Sequence, residues 1–453
     1  MAASIPIVFI SKEQLSAESD HHRSWFAATG FQAEAGSYSL VPNADGTLAS
    51  VYVGHSDALD TWTVGQLAVG LPANHYYLPD SLTDEDATKL YLGWRLSQYQ
   101  FTRYKQDSNT STARPKQATL EPPKQADLAY VEAAVEATYL VRDLVNTPAG
   151  DMGPAQLEER ARAIATTYNA EIQVTTGEAL LTENYPMIHA VGRASDQAPR
   201  LIDMQWGDRT HPRITLVGKG VCFDSGGLDI KNATGMKLMK KDMGGAAHVL
   251  GIATLVMKLN LPVRLRVLVP AVENSIAGNA MHPLDILNTR KGITVEVGNT
   301  DAEGRLVLGD ALWEASQEHP QLLVDFATLT GAARVALGTE LPAMFCSDET
   351  TALQLKQAGL QVDDPLWPMP LHLPYRSMLD SAIADISNIS NGSYGGAITA
   401  ALFLNEFVMP DIPWVHIDVM AWNLRSLPGR PEGGEAMGVR AVTELIRQIA
   451  TGT

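Results

Sequence analysis

The sequence predicts an α/β protein. A mostly parallel mixed sheet covered by helices should form a large C-terminal domain, preceded by a smaller α/β N-terminal domain. Three observations predict this. Apolar strand-like runs alternate with helical runs over the second half of the chain, and a polar stretch from Lys105 to Gln125 containing Pro122-Pro123 reads as a linker. Two charged, glycine-bearing segments, Gly218–Lys231 and Asn299–Leu306, each follow a strand-like run. Such alternation places helices over a parallel sheet, and ligand sites of such sheets lie at the carboxyl ends of the strands.

The elements follow in chain order. Ile5 to Ile10 is apolar, has no basic region before it and is far shorter than the ~20 residues that span a bilayer, so it reads as a first strand. Leu48 to Val53 follows Asn43-Ala44-Asp45-Gly46, a hairpin-like turn in which Gly46 can take positive φ. Past the linker, Leu128, Val131, Val135 and Tyr139 recur at helical spacing, which predicts a long connecting helix stopped by Thr147-Pro148. The division is therefore 1–125 for the N-terminal domain with its linker and 126–453 for the connecting helix and large domain. In the latter, strands at Ile214–Val217, Val263–Val269, Ile293–Val297 and Leu322–Phe326 alternate with helices at Gly245–Leu259 and Val307–Ala315. The first of these helices is apolar nearly all round and should be a buried cover.

Composition removes several classes of function. At 453 residues and 45% hydrophobic content the chain can build substantial cores, and a formal charge of -17 argues against a polyanion as main partner, so nucleic acid is unlikely. Cys222 and Cys346 are the two cysteines, too few for a disulfide framework or a four-cysteine zinc site, which points to reduced thiols in the cytoplasm, and the short apolar start gives no reason to expect membrane association. Gly218-Lys219-Gly220 has Phe223 where a dinucleotide loop needs its third glycine, and Gly392-Ser393-Tyr394-Gly395 misses the nucleophile elbow of a serine hydrolase. His248 lies in an apolar helix without a partner histidine at metalloprotease spacing and reads as a satisfied core residue.

What remains is a concentration of charge. Asp301, Glu303 and Arg305 alternate, and on an extended segment alternate residues share a face. Upstream stand Lys219, Asp224, Lys231 and Asp242. Taken singly these have plain readings: Asp242 as a helix cap, Asp301 with Arg305 as a solvated pair. Taken together, four carboxylates in one cleft would repel and raise one another's pKa unless cations balance them. Two divalent ions roughly 3.5–4 Å apart, bridged by carboxylates, would do so.

These segments resemble the leucyl aminopeptidase or cytosol aminopeptidase family of two-metal exopeptidases. The resemblance rests on NTDAEGRL at 299–306, GKGVCFDSGGLDIK at 218–231 and MKKDMGGAA at 239–247. Supporting matches are Arg142–Ala149, Glu273-Asn274 with Gly278-Asn279, and Thr328–Gly331, so coverage runs from about residue 140 to the C-terminus. Residues before the linker carry no matching motif, and Asn232 and Lys241 stand where the family often has other residues. The resemblance implies that Asp224 and Glu303 bridge two metals, that Lys219 and Asp242 complete one and that Asp301 completes the other. It also implies that Lys231 stabilises an oxyanion, that Arg305 holds bicarbonate, and that Met239, Thr328 and Leu329 shape a pocket for a leucine-like first residue. Zinc or manganese, with magnesium or cobalt as substitutes, peptide substrates and a cytoplasmic homohexamer belong to the same implication. The alternatives are a catalytically inactive oligomeric scaffold and a DNA-binding regulator of the same family.

Overall fold

The computed structural model describes residues 4–56, 58–105 and 117–452. Contacts divide the chain into a unit reaching Val135 that also includes Arg425–Glu432, and a unit of Glu136–Leu424 with Gly433–Thr453. The helix Leu128–Asn146 begins in the first and ends in the second.

The first unit holds a five-stranded sheet of β1 (Ile5–Ile10), β2 (Tyr38–Pro42), β3 (Leu48–Gly54), β4 (His75–Tyr77) and β5 (Thr119–Leu120), in the order β2-β3-β1-β4-β5. β1 occupies the apolar segment expected of it, with Ile7 fully buried between the parallel neighbours β3 and β4. β2 and β3 form the expected hairpin, and Gly46 in its turn has φ 83°. The expected linker is corrected at its end: Thr119–Leu120 pairs with β4, because Ala118 and Leu120 are apolar and buried. Residues 106–116 of that segment lie outside the described residues.

The second unit is built on a nine-stranded sheet. Its strands are β6 (Glu171–Thr176), β7 (Arg200–Trp206), β8 (Arg213–Gly218), β9 (Gly220–Asp224), β10 (Arg264–Asn274), then β13 (Leu322–Ala327), β14 (Ala343–Cys346), β15 (Trp367–Met369) and β17 (Trp414–Asp418). Separate from it, β11 (Ile286–Asn288), β12 (Thr294–Glu296) and β16 (Ile386–Ser387) make a three-stranded sheet. The large sheet runs β15-β14-β17-β13-β8-β10-β7-β6, with β9 beside β10. Its centre, β17-β13-β8-β10, is parallel, and its flanks turn antiparallel at β14–β17 and β10–β7. β13 and β17 are buried along their whole length, as strands covered on both faces must be. The helix Gly244–Lys258 provides such cover, with every residue from Gly244 to Met257 buried.

Three local expectations change. The charged segment after Ile214–Val217 does not leave the sheet at once: the chain kinks at Lys219 and resumes as β9, so β10 pairs with β8 and then with β9. The run Ile293–Val297 yields only the short β12, outside the main sheet, because it pairs with β11 and β16. Asp301, Glu303 and Arg305 do not lie on an extended segment, since the helix Glu303–Ser316 begins at Glu303 and captures the last two in its first turn.

Candidate metal centre

The charged residues converge at the carboxyl ends of the parallel strands, where backbone geometry leaves a crevice. Lys219 sits in the kink between β8 and β9, its N–H donating to Phe326 O (3.0 Å) and its carbonyl accepting from Ala246 N (2.8 Å). Its direction is therefore fixed from both sides, by β13 and by the covering helix. Its side chain passes so close to the helix Glu303–Ser316 that a Cβ on Gly304 would lie 2.5 Å from Lys219 Cε. Any side chain between Glu303 and Arg305 would have to displace Lys219.

Asp224 ends β9. Beyond it Gly226 and Gly227 adopt φ 89° and 66°, a left-handed bend that glycine makes without steric cost, and the loop closes with Lys231 N donating to Ser225 O (2.9 Å). That closure returns Lys231 to the site. Its Nζ lies 2.8 Å from Asp224 Oδ2 and 2.5 Å from Asp301 Oδ1. Lys219 Nζ lies 2.7 Å from Asp242 Oδ2 and 2.9 Å from Glu303 Oε1. Each ammonium thus stands between two carboxylates. Asp224, Asp242 and Glu303 are all buried and can bring one oxygen each within 4.8 Å of one another.

Neighbouring groups fix these carboxylates. Asp224 Oδ1 accepts from Gly226 N and Asn274 Nδ2, both at 2.9 Å, and Asn274 also donates to Thr300 O (3.0 Å), tying β10 to the Asp301 turn. Asp242, on the short helical turn Met239–Met243, accepts from Thr328 Oγ1 at 2.7 Å. Thr328 is buried and its hydroxyl is committed to Asp242, whereas Met239 and Leu329 are partly open. Asp418, at the end of β17, receives Leu329 N and Thr330 N at 3.0 Å and so shapes the turn after β13. No motif marked Asp418, because its partners, the N–H groups of Leu329 and Thr330, the Thr330 hydroxyl and Arg334, all lie more than eighty positions away.

The electrostatics are unbalanced. Four carboxylates face two ammonium groups, and Asp242 Oδ2, Asp301 Oδ1 and both oxygens of Glu303 are buried without a directed hydrogen bond. Burial, reinforced by Asp224, pushes Glu303 up to about 8. Burial likewise raises Asp301. At Asp242 burial acts upward too and is the largest single influence, but Lys219, Lys241 and the Thr328 hydroxyl together hold the group below its usual value. Burial alone would lower both lysines, yet Asp242 and Glu303 around Lys219, and Asp224 and Asp301 around Lys231, keep them above the ordinary lysine range.

Arg305 does not join this cluster. Its Nη1 donates to Asn388 O (2.7 Å), its Nε is buried without a partner, and burial brings it down to about 10, still charged at neutral pH.

Comparison with known proteins shows the family. A family model described as the cytosol aminopeptidase family, catalytic domain, matches residues 139–443, and one described as the M17 aminopeptidase, N-terminal domain, matches residues 5–115. The second match assigns the residues before the linker, which carry no short motif of their own, to the family's N-terminal domain. The chain is 39% identical over 396 residues to a probable cytosol aminopeptidase of Roseiflexus castenholzii, covering 85% of this chain and 80% of that one. It is 38% identical over 452 residues to one from Leifsonia xyli, covering 94% and 90%. The crystal structure of a cytosol aminopeptidase from Coxiella burnetii superposes with a TM-score of 0.93 at 46% identity, over 99% of this chain and 98% of that one. The bottromycin maturation enzyme BotP in complex with Mn superposes with a TM-score of 0.88 at 34% identity, over 99% and 100%. With both of its parts matched in order and its charged crevice inside the matched catalytic region, the chain belongs to the cytosol aminopeptidase family of peptide hydrolases.

Proposed function

We propose that this chain is a two-metal aminopeptidase that removes leucine-like or other apolar residues from the N-terminus of peptides. One observation carries the reading: four carboxylates share two ammonium groups, three of them close enough to hold one ion, and Glu303 Oε2 is buried with no donor at all. Such a donor set fits divalent cations, zinc or manganese first and magnesium or cobalt as substitutes. Asp224 and Glu303 would bridge the pair, Lys219 and Asp242 would complete one ion and Asp301 the other. A bound pair supplies Lewis acidity and lowers the pKa of an attacking water.

The chain's own groups supply the rest. Lys219 must be neutral to serve as a ligand, so its present pairing with Asp242 and Glu303 marks the place where a cation would displace a proton. Lys231 stays protonated between Asp224 and Asp301, on the more open side of the site, with its charge available to a developing oxyanion. Arg305, with an unsatisfied Nε, would hold bicarbonate, whose chemistry there is to accept a proton from the attacking water. Met239 and Leu329 would border the first side-chain pocket, and Thr328 contributes by holding Asp242. The proposed setting is a homohexamer in the cytoplasm; among the described residues no helix is long and apolar enough to cross a membrane.

The test is hydrolysis of leucine p-nitroanilide by protein loaded in turn with zinc, manganese and magnesium, alongside elemental analysis. Turnover with bound metal is expected. Inactivity with all three overturns the proposal, and a preference for charged or polar over apolar aminoacyl amides overturns only the pocket assignment.

A further inference from the structure

Asn388 is fully buried, directly after β16, and its N–H donates to Glu296 O (2.9 Å), continuing the pairing of β16 with β12. Its side-chain oxygen accepts from Gly298 N (2.8 Å) and Asn299 N (3.3 Å). Its side-chain nitrogen donates to Asn299 O (2.8 Å) and Ala302 O (3.3 Å). These partners are backbone donors on one side and backbone acceptors on the other, so they dictate the amide's orientation and use both of its protons. The approach is too close for a side chain on Gly298, where a Cβ would lie 2.6 Å from Ile389 Cγ1. Finally, the carbonyl of Asn388 is the acceptor for Arg305 Nη1. Every one of these bonds runs to residues 296–305, the stretch that carries Asp301, Glu303 and Arg305.

We propose that Asn388 is a positioning residue for the aminopeptidase reaction, clamping the 298–302 loop from both ends and aiming Arg305 with its carbonyl. The inference rests on the roles given above to Asp301, Glu303 and Arg305. One residue thereby locks the metal-facing carboxylates and the anion-facing arginine into a single rigid arrangement. Asparagine is required because no other side chain of this size offers an acceptor and a two-proton donor in one plane. Aspartate would place an acceptor oxygen, where the amide donates, against the carbonyls of Asn299 and Ala302.

The experiment compares wild type, Asn388→Asp and Asn388→Ser, with Thr254→Val as a control that removes a buried hydroxyl bond to Leu250 O in the covering helix. Hydrogen exchange over residues 298–302 is read on metal-free protein, Mn2+ affinity by calorimetry, and kcat and KM on manganese-loaded protein. Both Asn388 variants should exchange this segment at least about tenfold faster, bind Mn2+ about 10–100-fold more weakly and lose kcat more than KM. The serine variant serves if the aspartate variant does not fold. Thr254→Val should lower Tm and leave all of these readouts in place. Unchanged exchange in the folded variants, or Mn2+ affinity within about twofold of wild type, overturns the assignment. If wild type takes up neither Mn2+ nor zinc nor magnesium, the two-metal reading fails, while the exchange data still decide the role of Asn388.

Discussion

At the residue scale the two lysines look alike and should behave differently. Both bridge two carboxylates, but Lys219 is buried among three of them and Lys231 faces the more open edge with Asp301. Lys231→Ala is expected to keep bound metal and lower kcat by about 100–1000-fold, the usual loss when one fixed oxyanion partner is removed. Asp301→Ala should lose metal and activity together. Elemental analysis beside kcat on leucine p-nitroanilide checks both, and equal turnover in the two variants would break the assignment. Gly304 gives a sharper test, since the methyl of Gly304→Ala has nowhere to go but into the Lys219 side chain. Helix propensity would favour alanine at this helical position by about 0.5–1 kcal/mol, so Tm should hold or fall only slightly while metal affinity drops. A fully active Gly304→Ala enzyme would show that the position of Lys219 is not critical.

At the element scale the covering helix Gly244–Lys258 is tied to the final helix Val439–Thr451 through His248. Its Nδ1 lies 2.6 Å from Gly244 O and its Nε2 accepts from Met437 N at 2.9 Å, so the ring is neutral with its proton on Nδ1. Burial brings it down to about 4 from an ordinary 6.5. The sign follows from proton counting. Between those values the unfolded chain binds a proton that the folded one refuses, so this contribution is complete above pH 6.5 and is lost as pH falls through 4. Denaturant melts of wild type and His248→Gln across that window should show a steeper acid loss in wild type, by up to roughly 3 kcal/mol. Parallel pH profiles would mean that the histidine accepts its proton in the folded state.

At the scale of the whole molecule, the net charge of -17 sets long-range behaviour. A duplex-binding titration from about 50 to 200 mM salt should show no affinity and hence no counterion-release slope. A steep slope would revive the DNA-regulator alternative. Much of the architecture was legible because parallel strands covered on both faces need near-continuous apolar runs, as in Ile214–Val217 and Leu322–Phe326, each interrupted once, by Thr215 and Asp325, and a helix buried all round needs the composition of Gly244–Lys258. The short β12 was misplaced because three or four apolar residues carry no information about which sheet will receive them.

The sequence by itself determined the inventory of chemistry: which carboxylates, lysines and arginine exist, in motifs long enough to identify the family, and roughly where strands and helices fall. Tertiary structure decided the arrangement. That Glu303 begins a helix instead of lying in a strand, that Gly304 makes room for Lys219, and that Arg305 turns away to Asn388 all depend on contacts between segments distant in the chain. The physical reason is the range of the forces involved. Periodicity and turn chemistry act over a few residues and leave a local pattern, whereas desolvated charges and backbone hydrogen bonds are satisfied by whatever the fold brings near. Asn388 belongs wholly to the second kind.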